Sequence, residues 1–103
     1  MERSGIDASR LDLAREFKAA PLGFHSLDLR YLLAAMRSLP TNGNWRLLEV
    51  VPGREWMLAR LMGNGPYQLE RLDNVRFSSL EEAEWEVFRL RWEIIFDEPL
   101  DVE

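Results

Sequence analysis

The segment from Ser79 to Phe96, SLEEAEWEVFRLRWEIIF, reads as a helix that is apolar on two sides. At about 100° per residue, Leu80, Ala83, Val87, Leu90 and Ile94 fall on one stripe, and Trp85, Phe88, Trp92, Ile95 and Phe96 fall on another, roughly opposite. Charged residues fill the gaps between them: Glu86, Arg89 and Glu93 on one side, Glu84 and Arg91 on the other. A surface helix of a globular protein has one apolar face. A second face made of two Trp and two Phe demands a second neighbour. Either two other layers of the same chain flank this helix, or another protein does. Its start is well marked: Ser79 with Glu82 is a capping-box pair, and Glu81, Glu82 and Glu84 suit the positive end of the helix dipole.

The remaining chain supplies candidate neighbours. Residues 1–6 read as a loose end. Asp7 is a candidate N-cap, with Ile6 and Leu11 spaced as a hydrophobic staple. A first helix is expected over Ala8–Ala20, with Leu13 and Phe17 on its buried side, stopped by Pro21 and Gly23. Ser26 can cap a second helix over Leu27–Leu39. Leu29, Leu32, Leu33, Met36 and Leu39 share one face of it, and Arg30, Arg37 and Ser38 point away. Pro40 and the run TNGN end that helix.

Trp45–Val51 and Trp56–Met62 read as strands, joined at Val51-Pro52-Gly53-Arg54 with Pro and Gly where a type II turn wants them. A turn at Gly63-Asn64-Gly65-Pro66 leads to a third strand over Tyr67–Leu72. A short extended piece with Val75 and Phe77 follows it. The expected fold is therefore α+β, a single domain over residues 1–103: two N-terminal helices, a three-stranded antiparallel meander and a long C-terminal helix. The first strand is apolar on both faces, with Trp45, Leu47 and Val51 on one and Leu48 and Val50 on the other. A small antiparallel sheet normally keeps one face wet, so the sheet, like the last helix, asks for cover on two sides.

Composition narrows the function. A chain of 103 residues holds one modest core, and its four Trp and five Phe make either a large aromatic core or an aromatic excess at an interface. The net charge of −5 comes with no basic stripe, which argues against nucleic acid. The absence of cysteine excludes disulfides, thiolate catalysis and Cys-ligated metal. No apolar signal core or membrane-length run is visible, so a cytoplasmic protein is expected.

Candidate chemistry is thin. His25, the single histidine, could serve as a general base. It lies in the loop PLGFHS without a matching nucleophile, and a loop or capping role is the simpler reading. Glu82 and Glu86 share a helix face, but nothing else points to a metal there, and a solvated helix start accounts for them. Gly63-x-Gly65 precedes Pro66 and a strand, whereas a phosphate loop would open a helix. No catalytic, cofactor-binding or metal-binding residue is assigned to this chain. Protein–protein contact through Trp85, Phe88 and Trp92 is a better fit than stacking on sugars or bases.

An ordered set of elements carries a family resemblance. Ala19-Ala20-Pro21-Leu22-Gly23-Phe24 precedes His25-Ser26; then come Leu29, Arg37 and Pro40-Thr41 with Gly43. Arg54-Glu55-Trp56 opens the second strand, and Phe77-x-Ser79-x-Glu81-Glu82-Ala83 continues to Val87-Phe88 and Arg91. From about residue 19 to residue 92 the chain resembles the small subunit of bacterial N,N-dimethylformamidase. The resemblance implies an amidohydrolase of large and small subunits that splits N,N-dimethylformamide into dimethylamine and formate. It places a mononuclear iron, held by tyrosine and carboxylate oxygens, on the large subunit, and no catalytic residue on this one.

The expected role is thus that of a non-catalytic accessory subunit packing on a large catalytic partner. Trp85, Phe88, Trp92, Ile95 and Phe96 are the expected interface anchors, and Arg54, Trp56 and Arg91 are lesser candidates for fixing register. Two rivals are a stand-alone acidic interaction module and a homodimer paired through the aromatic stripe. If the first two helices cover that stripe within the chain, the interface must lie elsewhere, on the sheet.

Overall fold

A computed structural model describes residues 6–39, 44–62 and 69–102 of the chain. Three helices, α1 (Leu11–Ala19), α2 (Leu27–Arg37) and α3 (Leu80–Phe96), accompany three strands, β1 (Trp45–Val51), β2 (Glu55–Leu61) and β3 (Leu69–Phe77). The strands form one antiparallel sheet in the order β1-β2-β3. The α+β architecture and the order of its elements are those expected from the sequence.

Element ends show which local signals governed. Ser26 caps α2 by accepting from the Leu29 N–H at 3.3 Å. Ser79 caps α3 by accepting from the Glu82 N–H at 3.2 Å, while its hydroxyl donates to Glu81 at 3.2 Å. Asp7 is not an N-cap. Its carboxylate accepts from the Ser9 N–H and hydroxyl, closing a local turn, and α1 begins only at Leu11. Ile6, Ala8 and Leu11 nevertheless pack on the helical core. At its other end α2 stops at Arg37, two residues short of the expected Leu39. Asp97 ends α3 in the left-handed region at φ 58°, with its N–H on the Glu93 carbonyl at 2.9 Å.

The β1–β2 turn closes through Arg54 N–H to the Val51 carbonyl at 2.9 Å, and Gly53 takes φ +69°. That positive φ at the third position is what a type II turn requires. The Glu49 carboxylate accepts from the Gly53 N–H at 2.7 Å.

The expected break after Leu72 is instead a bulge inside one strand. A single step along β2, from Met57 to Leu58, spans Arg76 to Leu72 on β3. Asp73, Asn74 and Val75 are extruded, and the Arg76 guanidinium bonds back to the Asp73 carbonyl at 3.1 Å. The expected turn at 63–66 and strand start at Tyr67 lie outside the described residues.

The layers are α1 with α2, then α3, then the sheet. Leu13, Ala14 and Phe17 of α1 and Leu29, Leu32 and Met36 of α2 form one buried cluster with Phe88, Trp92 and Leu100. Two polar clamps align α1 with α2. Arg10 pairs with both Asp12 at 3.0 Å and Asp28 at 3.1 Å, and Glu16 accepts from the Ser26 N–H and hydroxyl at 2.6 and 2.7 Å. On its other side α3 buries Ala83 and Val87. It is the only helix with extensive contact to the sheet among the described residues. A helix with an element on each side must be apolar on both, which is the pattern read from Ser79–Phe96.

Candidate docking surface

The structure puts the second apolar stripe of α3 inside the molecule. Phe88 and Trp92 are 2% and 1% exposed. Phe17 stacks on Phe88 with ring centroids 4.5 Å apart, and Trp85 lies 5.6 Å from Phe88 and 6.5 Å from Phe17. Lys18 sits 5.5 Å from the Trp85 ring centroid, a cation–π contact worth about 0.5–1 kcal/mol. Trp92 packs on Phe96 at 4.5 Å, and Ile95 lines the same core, half-buried. The expected docking stripe Trp85, Phe88, Trp92, Ile95 and Phe96 is therefore packed on the chain's own helices. Its physical reason is that α1 and α2, each with a one-sided apolar face, found their cover there.

A broad partly exposed apolar surface lies on the sheet. Register puts Trp45, Leu47 and Glu49 of β1 beside Arg60, Leu58 and Trp56 of β2. It then puts Glu70, Leu72 and Phe77 of β3 beside Arg60, Leu58 and Trp56. These residues share one face. The opposite face carries Met57, Ala59 and Leu61, all buried at 8% exposure or less. Since α3 is the helix against the sheet, that face is the one it covers.

No helix among the described residues covers the Trp45 face. Trp45, Leu47, Trp56, Leu72 and Phe77 remain half-exposed there, and only Leu58 between them is buried. The Arg60 guanidinium lies 5.0 Å from the Trp45 ring centroid, shielding part of the edge. Of the candidate residues, Trp56 stands on this open face. Arg54 is exposed in the adjoining turn and lines a shallow cleft of about 490 Å³ with Glu55, Arg76 and Phe77. Glu55 and Arg76 close one wall of that cleft as an ion pair at 3.2 Å.

Trp45, Leu72 and Phe77 were missed as candidates. The available signal was the two-sided apolarity of β1. It was blurred because an irregularity at Val50 moves Val51 opposite Glu55, off the Trp45 and Leu47 alternation.

Arg91 does not reach the open face. It lies between α3 and β1, where its Nη2 donates to the Trp45 carbonyl at 3.0 Å. The Arg46 guanidinium donates to the same oxygen at 2.9 Å. The Arg91 Nε–H is buried without a partner. Burial, then the Arg46 charge, push the Arg91 pKa below the usual arginine range, with Glu84 opposing and Arg37 adding to the shift.

His25 accepts the loop role read for it. Its Nε2 lies 2.9 Å from the Ala20 carbonyl at the end of α1, and its ring lies 5.5 Å from Phe17. Among the described residues no three His, Asp or Glu side chains are grouped to hold a metal ion, and no helix is long and apolar enough to cross a membrane. A second apolar group, individually more exposed, lies around the α1–α2 loop: Leu22, Phe24, Leu27 and Tyr31, with Phe24 wholly exposed.

Comparison with known proteins bears on the same residues. A search of curated proteins found no match. The model of the N,N-dimethylformamidase alpha subunit family matches residues 7–98, from the turn before α1 to the end of α3. The chain belongs to the N,N-dimethylformamidase alpha subunit family.

Proposed function

We propose that this chain is the non-catalytic small subunit of a dimethylformamidase-like amide hydrolase, and that it packs on a large catalytic subunit through the open sheet face. The observation that carries the docking reading is that face itself: three aromatic rings and three leucines on the side of the sheet that no helix among the described residues covers. Half-exposed Trp and Phe flanked by charged residues at the rim have the composition of an interface core. Family membership supplies the kind of partner.

In this reading the hydrolysis of an N-substituted formamide, and the iron that assists it, belong to the large subunit. The small subunit contributes buried area and assembly.

The test is co-expression with a large subunit of the dimethylformamidase type. The pair should co-purify at high salt, because an aromatic contact is weakly screened. Trp56→Asp should abolish co-purification while helix content stays unchanged. Retained co-purification in Trp56→Asp would move the interface off the sheet. A clean monomer with no affinity for the large subunit would overturn the assignment as a whole. Salt-sensitive capture of a basic protein would favour an acidic adaptor instead.

A further inference from the structure

A cleft of about 190 Å³ opens where the end of α1, the last turn of α2 and the middle of α3 meet. Arg37 and Arg91 line it, with Glu84 as the carboxylate of the wall and Phe17, Met36 and Phe88 among the apolar groups. The volume is a few times the roughly 30 Å³ share of one liquid water and well below a drug-sized pocket. It suits a small ligand or one side chain.

The charges around the cleft are unbalanced. Arg91 feels the like charges of Arg46 and Arg37, and Glu84 is the one acid that offsets them. Of the charged groups that line the cleft, Arg37 and Arg91 outnumber Glu84, a positive focus in a chain whose net charge is −5. Hydrogen bonding is unbalanced in the same direction. Arg91 and Arg46 share one acceptor, the Trp45 carbonyl, and the buried Arg91 Nε–H has none. A guanidinium cannot shed its proton at ordinary pH, so an added acceptor, water or ligand, relieves the imbalance. The planar fork of an arginine matches the two oxygens of a carboxylate, and the apolar walls strengthen the attraction by excluding water.

We propose that the Arg37–Arg91 cleft is a carboxylate-binding site. The carboxylate is either a small organic acid anion or the Asp or Glu side chain of a docked partner. The site lies on the helical side of the molecule, away from the open sheet face, and does not depend on the docking reading.

The test begins with the full chain alone, titrated with sodium acetate and sodium formate against sodium chloride at matched ionic strength. Thermal midpoint and tryptophan fluorescence are read together, since Trp85 stacks on Phe88 at the cleft wall. The carboxylates should raise the midpoint saturably where chloride does not. Arg37→Gln, an exposed substitution, should weaken that response about tenfold, the loss of one charge-assisted hydrogen bond, with the circular dichroism unchanged. Arg91→Met should abolish the response, but a loss of fold there would leave Arg37→Gln as the deciding variant.

Repeating the titration on the complex with the large subunit separates the sources. A response in the free chain that is silent in the complex assigns the site to a partner carboxylate. A response in both assigns it to a free anion. Equal effects of acetate and chloride on the free chain, or a response that Arg37→Gln leaves intact, would overturn the proposal.

Discussion

The two aromatic regions of this molecule are made of the same residue types and differ in how far the chain covers them. Phe17, Trp85, Phe88 and Trp92 are stacked between helices, with the last two almost wholly buried. Trp45, Trp56 and Phe77 lie across the sheet face that no helix among the described residues covers. Aromatic content alone therefore does not separate a core from an interface. What separates them is whether the chain has a second apolar element to spend on each face. It has α1 and α2 for one side of α3, and among the described residues nothing comparable for the far side of the sheet.

The comparison breaks most visibly at Trp92. Trp92→Ala should cost about 3–5 kcal/mol, as for other buried aromatic truncations. That is much of the stability of a small domain, and it should appear as a large drop in the urea midpoint. Had the stripe been a docking surface, the free chain would have gained solubility and lost little.

Trp56→Ala is the counterpart on the open face. It should lower affinity for the large subunit by about 2 kcal/mol, as an aromatic anchor does, and lower the stability of the free chain by less than that. Binding calorimetry beside thermal melts distinguishes the two terms. A stability loss as large as that of Trp92→Ala would make the sheet face a core rather than an interface.

Gly53→Ala probes the turn that holds the two strands of that face in register. A Cβ there meets nothing within 4 Å, so the cost is the left-handed backbone alone, about 1–2 kcal/mol. Chemical denaturation should show it, and binding should weaken only as far as the fold does.

The smallest effect concerns the clamp on the helical side. The hydrogen bond from Arg10 holds the Asp12 pKa below its ordinary 3.8. The native state then binds fewer protons than the unfolded chain. Its contribution is present above that ordinary value and fades as pH falls through the lower, folded one. Asp12 is solvent-exposed, so the contribution is small. Asp12→Asn should match the wild type in acid and fall slightly behind it at about pH 6, read as urea midpoints across that range.

Much of the fold was legible because its signals are local. Periodicity gave the two faces of α3 and the single faces of α1 and α2, and hydroxyl caps at Ser26 and Ser79 gave two helix starts within a residue. The β1–β2 turn followed from Pro52 and Gly53. Periodicity, however, counts the faces of a helix without naming what covers them. The same pattern fits a helix between two layers of its own chain and a helix awaiting a partner, and only packing chose between them.

The β3 bulge was hidden for a related reason. Asp73-Asn74 carries turn chemistry, and a local reading ends the strand there, whereas pairing with β2 resumes at Arg76. Arg91 was read as a register residue. Its sharing of the Trp45 carbonyl with Arg46 depends on the two lying close in space, which no spacing along the chain encodes.

The central place of α3 has a dynamic consequence. α1 and α2, of 9 and 11 residues, are too short to persist unaided, and a three-stranded sheet needs its apolar face covered. Both rest on opposite sides of one helix. The α1–α2 layer can peel away in a partial opening, but the amide protons of α3 should exchange with solvent only when the whole chain opens. A single cleavage within α3 would leave neither layer a core to fold against, so proteolysis there should consume the chain as a unit instead of trimming it to a stable fragment.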